Sequence, residues 1–316
     1  MHFSKKEGLM GQNFRNFAAL MQTDTDSNMK RTAIILSGLL AILAMPSITT
    51  AADKPADTKS ESDSAMVESL LATGDTTTLF YARQLLGRPY VAHTLEVNDR
   101  ECLVVNLRQL DCTTLVETVC ALTLTASEGQ RDYRSFCRHL QQLRYRQGHL
   151  DGYPSRLHYF SDWIDDNTAM GLVREITPAK GSFSAMQTLR LNYMSTHPQA
   201  YKALRDSPTL VKQIAEQEKR LTGRQYPYIV KTAGLQGKND RLLRQLISDG
   251  DILAITCSKP GLDIAHLGFA VWHDDGLHLL NASQIHKKVI DEPMTLWEYL
   301  SKHPSHTGIR VIRLRQ

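Results

Sequence analysis

Apolar positions repeat with helical spacing through the first part of the folded chain. Between Val67 and Leu86 this spacing predicts one or two helices, with an interruption near Gly74. Another helix is expected to follow Asp111, which is a good N-cap residue, and to end at Gly129. The folded part of the chain is therefore predicted to begin with helices.

Aromatic and polar residues dominate the middle of the chain, from about 130 to 200. Within this region, residues 148–167 predict an irregular, partly ordered insertion. Regular structure resumes where Ser207 precedes Pro208, because these residues suit the N-cap and the first position of a helix. A further short helix is expected near residues 239–248.

Strand patterns replace helical ones in the last quarter of the chain. Branched and aromatic residues predict four strands: GDILAIT (250–256), AHLGFAVW (265–272), GLHLLNAS (276–283) and GIRVIRL (308–314). Asp274, Asp275 and Gly276 supply a turn between the second and the third. Helices followed by an antiparallel sheet are typical of the α+β class. We expect a single domain over residues 66–316, with an insertion at about 130–200.

Residues 29–52 have the organisation of a secretory signal peptide. Lys30 and Arg31 precede a short apolar stretch, which is followed by small residues that suit cleavage. We therefore expect translation to start at Met29 and residues 1–28 to be a non-native or mis-started leader. The mature protein is expected to be secreted, into the periplasm.

The segments around the signal predict how the mature chain begins. The apolar stretch is too short for a membrane span, and no cysteine near its end supports a lipid anchor. An uncleaved signal anchor is the alternative, but we expect no membrane anchor after cleavage. Residues 53–65 are charged and rich in serine, so they predict a disordered linker.

Charge and cysteine content narrow the possible partners. The whole chain carries a formal charge of +4, and residues 1–52 contribute five basic and three acidic residues, which leaves +2 for the remainder. No stripe of Lys and Arg stands out, so nucleic acid is not an expected partner. An odd number of cysteines in an oxidising compartment leaves at least one thiol unpaired. All five lie in the remainder: Cys102, Cys112, Cys120, Cys137 and Cys257.

Cys112 has the position of a nucleophile in this pattern. The first turn of a helix offers the positive end of the helix dipole and unpaired N–H groups, which favour a thiolate and could hold an oxyanion. His266, at the start of a strand, is the candidate base. Asn281, on the next strand, is the candidate group that orients the base.

Other interpretations of these residues stay open at this point. A cysteine in a helix is more often an inert core residue, which is our interpretation of Cys120. His266 and Asn281 must face each other across the hairpin, and a slip of one residue would leave His278 as the third group. Zinc at His266, His273 and His278 is not favoured, because positions 266 and 273 have opposite parity on a strand. We expect neither a metal nor a cofactor.

Five segments of the chain, over residues 80–283, resemble the NlpC-type papain-like cell-wall hydrolases in order and context: ARQLLGRPYVAHTLE, LDCTTLVETV, GDILAIT, AHLGFAVW and LLNAS. In that family a tyrosine follows a turn, an Asp-Cys pair opens a helix, and a His-x-Gly begins a strand. LVVNLRQLDCTTLVE (103–117) and RYRQGHLDGYPSRLHYFSDWI (144–164) are similar to the N-acetylmuramoyl-L-alanine amidase-like branch.

The resemblance implies a papain-like core, in which a helix that starts at the nucleophile packs on an antiparallel sheet. It implies Cys112 as the nucleophile, His266 as the general base and Asn281 as the polar third residue, although many relatives have histidine there. Tyr90 matches a tyrosine near the nucleophile and is a candidate substrate contact. Asp111 matches the acid before it, whose implied role is capping, substrate contact or both.

Four residues of the 144–164 segment are candidate substrate contacts: Arg156, Tyr159, Asp162 and Trp163. By resemblance this segment lines the substrate groove, whereas a packed surface loop is the alternative. The charge of Arg156 suits a stem-peptide carboxylate. The rings of Tyr159 and Trp163 suit a sugar face.

The family branch implies a cysteine amidase that cleaves the bond between N-acetylmuramic acid and L-alanine in peptidoglycan fragments, with soluble anhydro-muropeptides as substrates. One alternative is an endopeptidase of the same fold, which cleaves between D-glutamate and the diamino acid of the stem peptide. The other alternative is a muropeptide-binding module without catalytic activity.

Overall fold

An eight-stranded antiparallel sheet organises the protein. The computed structural model describes residues 62–178, 184–237 and 240–315, so the predicted leader, the signal peptide and most of the linker lie outside the described residues. The strands are β1 (Val173–Ile176), β2 (Ser184–Thr188), β3 (Gln225–Val230), β4 (Ile252–Cys257), β5 (Ile264–His273), β6 (Gly276–Ser283), β7 (Lys288–Asp291) and β8 (His306–Leu314). Seven of them follow the order β2-β3-β8-β4-β5-β6-β7, and β1 pairs with β8.

The helices fall into three groups along the chain. The first group is α1 (Asp63–Ala72), α2 (Thr78–Gln84), α3 (Cys112–Ser127), α4 (Tyr133–Arg144) and α5 (Phe160–Ala169). The second is α6 (Tyr193–Thr196), α7 (Lys202–Arg205) and α8 (Pro208–Leu221). The third is α9 (Lys231–Gly234), α10 (Asp240–Leu246) and α11 (Leu296–Ser301). Among the described residues, no helix combines the length and the apolar character that crossing a bilayer requires.

Both faces of the sheet are buried. On β4, Ile252 and Ala254 belong to the apolar cluster that contains α3, whereas Leu253 and Ile255 belong to the cluster that contains α11. This alternation is the expected consequence of the two-residue period of a strand. A continuous apolar run such as ILAI is therefore explained by a strand with helices on both sides.

A buried ion pair connects α4 to α3. Nε of Arg144 lies 2.6 Å from Oε2 of Glu117, and each side chain is only 2% exposed. Nη1 of Arg144 also donates to the main-chain oxygen of Val104. Burial raises the pKa of Glu117, and the adjacent guanidinium opposes the rise. The start of the predicted insertion is thereby joined to the central helix.

Most predicted elements are present, and α+β is the fold class. The predicted interruption near Gly74 separates α1 from α2, and the strand predicted at 265–272 corresponds to β5. Two predictions need correction. Helix α1 starts at Asp63, inside the predicted linker 53–65, because Ser62 caps it. Residues 160–169 form a helix rather than an irregular loop, because Phe160, Trp163 and Ile164 form one buried face.

Candidate active site

The start of α3 is fixed by a reciprocal capping box. Oδ1 of Asp111 accepts from the main-chain N–H of Thr114 at 2.8 Å. In return, the main-chain N–H of Asp111 donates to Oγ1 of Thr114 at 2.9 Å. Both contacts satisfy N–H groups that a helix start would otherwise leave unpaired. The predicted cap is therefore confirmed, and Cys112 occupies the first position of the helix.

Cys112 and His266 line the same cavity, which has a volume of about 170 Å³. The remaining walls come from the loop before α5, from the α6–α7 region and from the start of β5. They comprise Thr113, His158, Tyr159, Phe160, Met194, Tyr201 and residues 262–265 and 267. The two residues predicted to form the nucleophile and base thus face one cavity.

Asn281 holds the imidazole of His266. Nε2 of His266 and Oδ1 of Asn281 lie 3.0 Å apart, and Asn281 is fully buried. The amide nitrogen of Asn281 donates to the main-chain oxygen of Leu279, which fixes the orientation of the amide. The prediction that these side chains face each other across the β5–β6 hairpin is confirmed.

His278 takes no part in this contact. It lies three residues before Asn281 on β6, so its side chain points to the other face of the strand. Its Nδ1 lies 2.9 Å from the main-chain oxygen of Glu292, and its Nε2 lies 3.0 Å from Oδ1 of Asp275. The hairpin register therefore favours Asn281 over His278 as the neighbour of His266.

Burial controls the protonation of the Cys112 and His266 pair. It raises the pKa of the Cys112 thiol to about 12, and the negative charge of Asp111 adds to the rise. Hydrogen bonds from the main chain of Leu267 and the side chain of Thr113 act in the opposite direction. Burial also lowers the pKa of His266, against the hydrogen bond with Asn281.

The resting pair is therefore a neutral thiol beside a neutral imidazole at neutral pH. This differs from the thiolate expected from the helix dipole alone, because the cost of burying a charged sulfur exceeds the benefit of the helix start. A neutral imidazole is the form that can accept the thiol proton.

Tyr90 and Asp111 lie close enough to Cys112 to interact electrostatically with it. Burial raises the pKa of the Tyr90 hydroxyl, and the neighbouring Cys112 and Asp111 add to the rise. The main chain of Tyr90 forms a bridge with Leu110, the residue before Asp111. The capping role predicted for Asp111 is confirmed, and its contact with substrate stays a prediction.

Two candidate substrate contacts in the 144–164 segment are occupied by internal ion pairs. Nη2 of Arg156 lies 2.9 Å from Glu96 and 3.0 Å from Glu101, and the residue is buried. Asp162 accepts from Nη1 of Arg146 at 3.2 Å. Neither residue is among those that line the cavity. Arg156 and Asp162 therefore hold this segment together instead of facing the cavity.

Trp163 and Tyr159 also differ from the prediction of an exposed sugar contact. Trp163 is fully buried, and its ring stacks on Phe160 with 4.7 Å between the ring centroids. Tyr159 does line the cavity, but its hydroxyl donates to Oε1 of Glu218 at 2.6 Å. The hydroxyl of Tyr159 is thus already paired within the protein, and Trp163 belongs to the core.

Sequence reasoning missed Asp263, which lines the cavity three residues before His266. Its carboxylate accepts from the main-chain N–H of Ser161 at 2.7 Å, and burial raises its pKa. Tyr299 was also missed, although its ring centroid lies 6.4 Å from that of His266. The only signal for Asp263 was an acid just before a candidate catalytic strand, and Tyr299 comes from a distant helix.

The sequence matches the profile of the AmiA-like family, described as N-acetylmuramoyl-L-alanine amidase-like, over residues 81–309. That range spans more than half of the chain and contains Tyr90, Cys112, His266 and Asn281. The chain belongs to this family. Membership indicates an amide hydrolase with a peptidoglycan-related function.

Solved structures agree with membership in the amidase-like family. The chain is similar to an N-acetylmuramoyl-L-alanine amidase from Bacteroides uniformis, with 40% identity and a TM-score of 0.69, over 77% of this chain and 100% of that one. A Bacteroides fragilis protein named as a candidate xylanase has 42% identity and a TM-score of 0.69, over 75% and 100% of the two chains. No curated protein matches the sequence significantly.

A more distant Legionella pneumophila protein shares the fold of this amidase-like chain. The identity is 24% and the TM-score is 0.62, over 80% of this chain and 94% of that one. Each of the three structures matches at least 75% of this chain. The family match over residues 81–309 contains the residues of the candidate active site.

Proposed function

We propose that this protein is a cysteine amidase that cleaves the N-acetylmuramoyl-L-alanine bond of peptidoglycan fragments. One observation carries the proposal: Cys112 and His266 face one cavity, and the far nitrogen of His266 is held 3.0 Å from Asn281. Family membership and the amidase name of the 40% identical relative support the choice of bond. The set of Cys, His and Asn is of the papain kind.

The proposed reaction starts with transfer of the Cys112 proton to His266. The sulfur then attacks the lactyl carbonyl of the muramic acid, and main-chain N–H groups at the start of α3 stabilise the oxyanion. His266 returns the proton to the nitrogen of L-alanine, so the C–N bond breaks and a thioester remains on Cys112. Water, deprotonated by His266, cleaves the thioester and restores the thiol.

The cavity fits amide hydrolysis better than hydrolysis between sugars. Glycosidases use two carboxyl groups on either side of the scissile bond. Among the described residues that line this cavity, Asp263 contributes the single carboxylate. The name of the Bacteroides fragilis relative therefore does not alter the proposal.

We further propose that the protein acts in the periplasm on soluble anhydro-muropeptides. The signal-like organisation of residues 29–52 supports export. Fractionation of cells that produce the full chain tests this part separately: the mature protein should be released with the periplasmic contents. Recovery of uncleaved protein in the membrane fraction would instead favour a signal anchor.

Mass analysis of a digested disaccharide tetrapeptide that ends in anhydro-muramic acid tests the bond. We expect release of the intact stem peptide and of the sugar. A dipeptide left on the sugar would show the endopeptidase activity instead. If the substrate binds but stays intact, the protein is a binding module and the proposal is wrong.

Two cysteine variants test the nucleophile in the same assay. Cys112→Ala should abolish turnover. Cys120→Ala is the matched control, because this cysteine lies on the same helix, is fully buried and does not line the cavity. Equal turnover by the two variants would remove Cys112 from the mechanism. Circular dichroism of both variants shows whether the fold is retained.

A further inference from the structure

A compact group of metal-binding side chains lies at the turn of the β5–β6 hairpin, away from the candidate active site. His273 ends β5, Asp275 lies in the turn, and His278 belongs to β6. One potential ligand atom from each residue lies within 4.8 Å of the others. From this geometry we propose that the three residues bind a divalent transition metal ion, with zinc as the best chemical match.

The hairpin register explains why the two histidines converge. His273 pairs with Gly276, and Val271 pairs with His278. Residues 271 and 273 point to the same face of β5, so the side chains of His273 and His278 lie diagonally across that face. Their ring centroids are 4.2 Å apart. The opposite parity of positions 266 and 273 disfavours a site that includes His266, but it does not affect His273 and His278, which converge across the turn.

The hydrogen bonds of His278 define which nitrogen could bind a metal. Its Nδ1 lies 2.9 Å from the main-chain oxygen of Glu292, and a carbonyl oxygen only accepts, so the proton is on Nδ1. Neutral His278 then presents the lone pair of Nε2 to the carboxylate of Asp275, 3.0 Å away. Two facing lone pairs require a positive charge between them, which is either a proton or a metal ion.

The surroundings favour a metal ion over a proton. A metal-binding histidine typically donates its other N–H to a carbonyl or carboxylate, which is the arrangement of His278 and Glu292. A second imidazole, that of His273, adds another lone pair to the same group. A metal ion would use this nitrogen as a ligand, whereas a single proton on His278 would leave it only its contact with Asp291.

Asp291 supplies a fourth candidate ligand from β7. Its Oδ1 lies 3.3 Å from Nε2 of His273, is shielded from solvent and has no hydrogen-bond partner. Neighbouring ligands of a tetrahedral zinc ion are separated by about 3.3 Å when the bonds are 2.0 to 2.1 Å long. Two imidazoles and the carboxylate of Asp275, with Asp291 next to His273, form a donor set suited to zinc.

The position of the group indicates a structural role. His273 lies seven residues after His266 on β5, which corresponds to about 23 Å along a strand. A metal ion there would not reach a substrate at Cys112. It would instead fix the turn of the hairpin that carries His266 and Asn281, and so stabilise the folded protein by binding it preferentially.

Zinc binding by the untagged full chain tests the proposal. The Cys112→Ala form is used throughout, so that the catalytic thiol and His266 do not form a competing site. Equilibrium dialysis against zinc alone, with metal analysis, should show one tight zinc ion per chain. Zinc should also raise the unfolding temperature, whereas magnesium at the same concentration should not, because it prefers oxygen ligands.

Two variants and one control assign the site. His273→Ala and Asp275→Asn should each weaken zinc binding at least tenfold, and both side chains are exposed (41% and 65%), so the fold should persist. His149→Ala, at another exposed histidine, should bind zinc as the parent does. Absence of saturable binding, or equal affinity in parent and both hairpin variants, would overturn the proposal. Neither result depends on the amidase activity.

Discussion

Nε2 of His266 lies 3.0 Å from Oδ1 of Asn281, and this contact fixes the tautomer of the imidazole. The amide oxygen only accepts, so the proton of neutral His266 is on Nε2 and the lone pair is on Nδ1. The orientation of the amide is supported by the donation from Asn281 to Leu279. Nδ1 is therefore the nitrogen available to take a proton from Cys112.

Loss of this contact should reduce turnover more than substrate binding. Asn281→Ala removes the acceptor, so the ring of His266 is free to rotate, and we expect kcat to fall by about 10²-fold with little change in KM. Steady-state kinetics on the disaccharide tetrapeptide measure both. Asn281→Asp is the matched control, because it keeps an acceptor. Equal loss in both variants would mean that orientation is not the function of Asn281.

The pH profile should report the protonation of His266. Burial lowers the pKa of His266 from 6.5, and the base must be neutral, so the acid limb of kcat/KM should have its midpoint below 6.5. In Asn281→Asp a negative charge next to Nε2 stabilises the imidazolium, so the limb should move to higher pH. If the acid limb of kcat/KM has the same midpoint in Asn281→Asp as in the parent, the ionising group is not His266.

The charge of Asp111 should affect the reactivity of Cys112 independently of helix capping. Asp111→Asn keeps the cap but removes a charge that raises the pKa of the thiol, so alkylation by iodoacetamide should reach half its maximal rate at lower pH. Asp111→Ala removes the charge and the cap together, and should also cost about 1 kcal/mol of unfolding free energy. Identical alkylation profiles in parent and Asp111→Asn would contradict this prediction.

Gly268 should tolerate no side chain, because a Cβ there would lie 2.6 Å from the main-chain oxygen of Leu280 and 2.7 Å from Cδ1 of Leu279. Gly268→Ala should displace β6, lower the unfolding free energy by about 1 to 3 kcal/mol and reduce turnover through Asn281. Gly237→Ala is the control, since the nearest atom to its Cβ is 3.9 Å away. Equal unfolding free energies for the two variants, measured by denaturant unfolding, would contradict the predicted steric clash at Gly268.

Trp163 should contribute to stability and not to substrate affinity. Trp163→Ala removes a fully buried ring that stacks on Phe160, and should lower the unfolding free energy by about 3 to 5 kcal/mol. Trp297→Ala, at a tryptophan that is 39% exposed, should change it by about 0.5 kcal/mol or less. If the Trp163→Ala protein is stable but has a raised KM, the result would support the original prediction that Trp163 contacts a sugar.

Periodicity and capping predicted the elements that position the site. The Asp111–Cys112 pair correctly predicted the start of α3. The turn at residues 274–276 predicted the hairpin that joins His266 to Asn281. The strands β1, β2, β3 and β7 were not predicted, because four to six mostly half-exposed residues carry little periodic signal. The roles predicted for individual side chains were wrong where the residues that contact them are distant in sequence. The two carboxylates around Arg156 come from residues 96 and 101, and no local pattern indicates that they converge.

The buried pair of Arg144 and Glu117 joins the middle segment to α3, the helix that begins at Cys112. Deleting that segment to obtain a smaller enzyme would leave an unpaired carboxylate inside the core, on the helix that begins at Cys112. Breaking such a pair typically costs about 3 to 5 kcal/mol. A trimmed version would therefore need Glu117→Gln or an apolar replacement at the same time. The middle segment therefore cannot be removed alone.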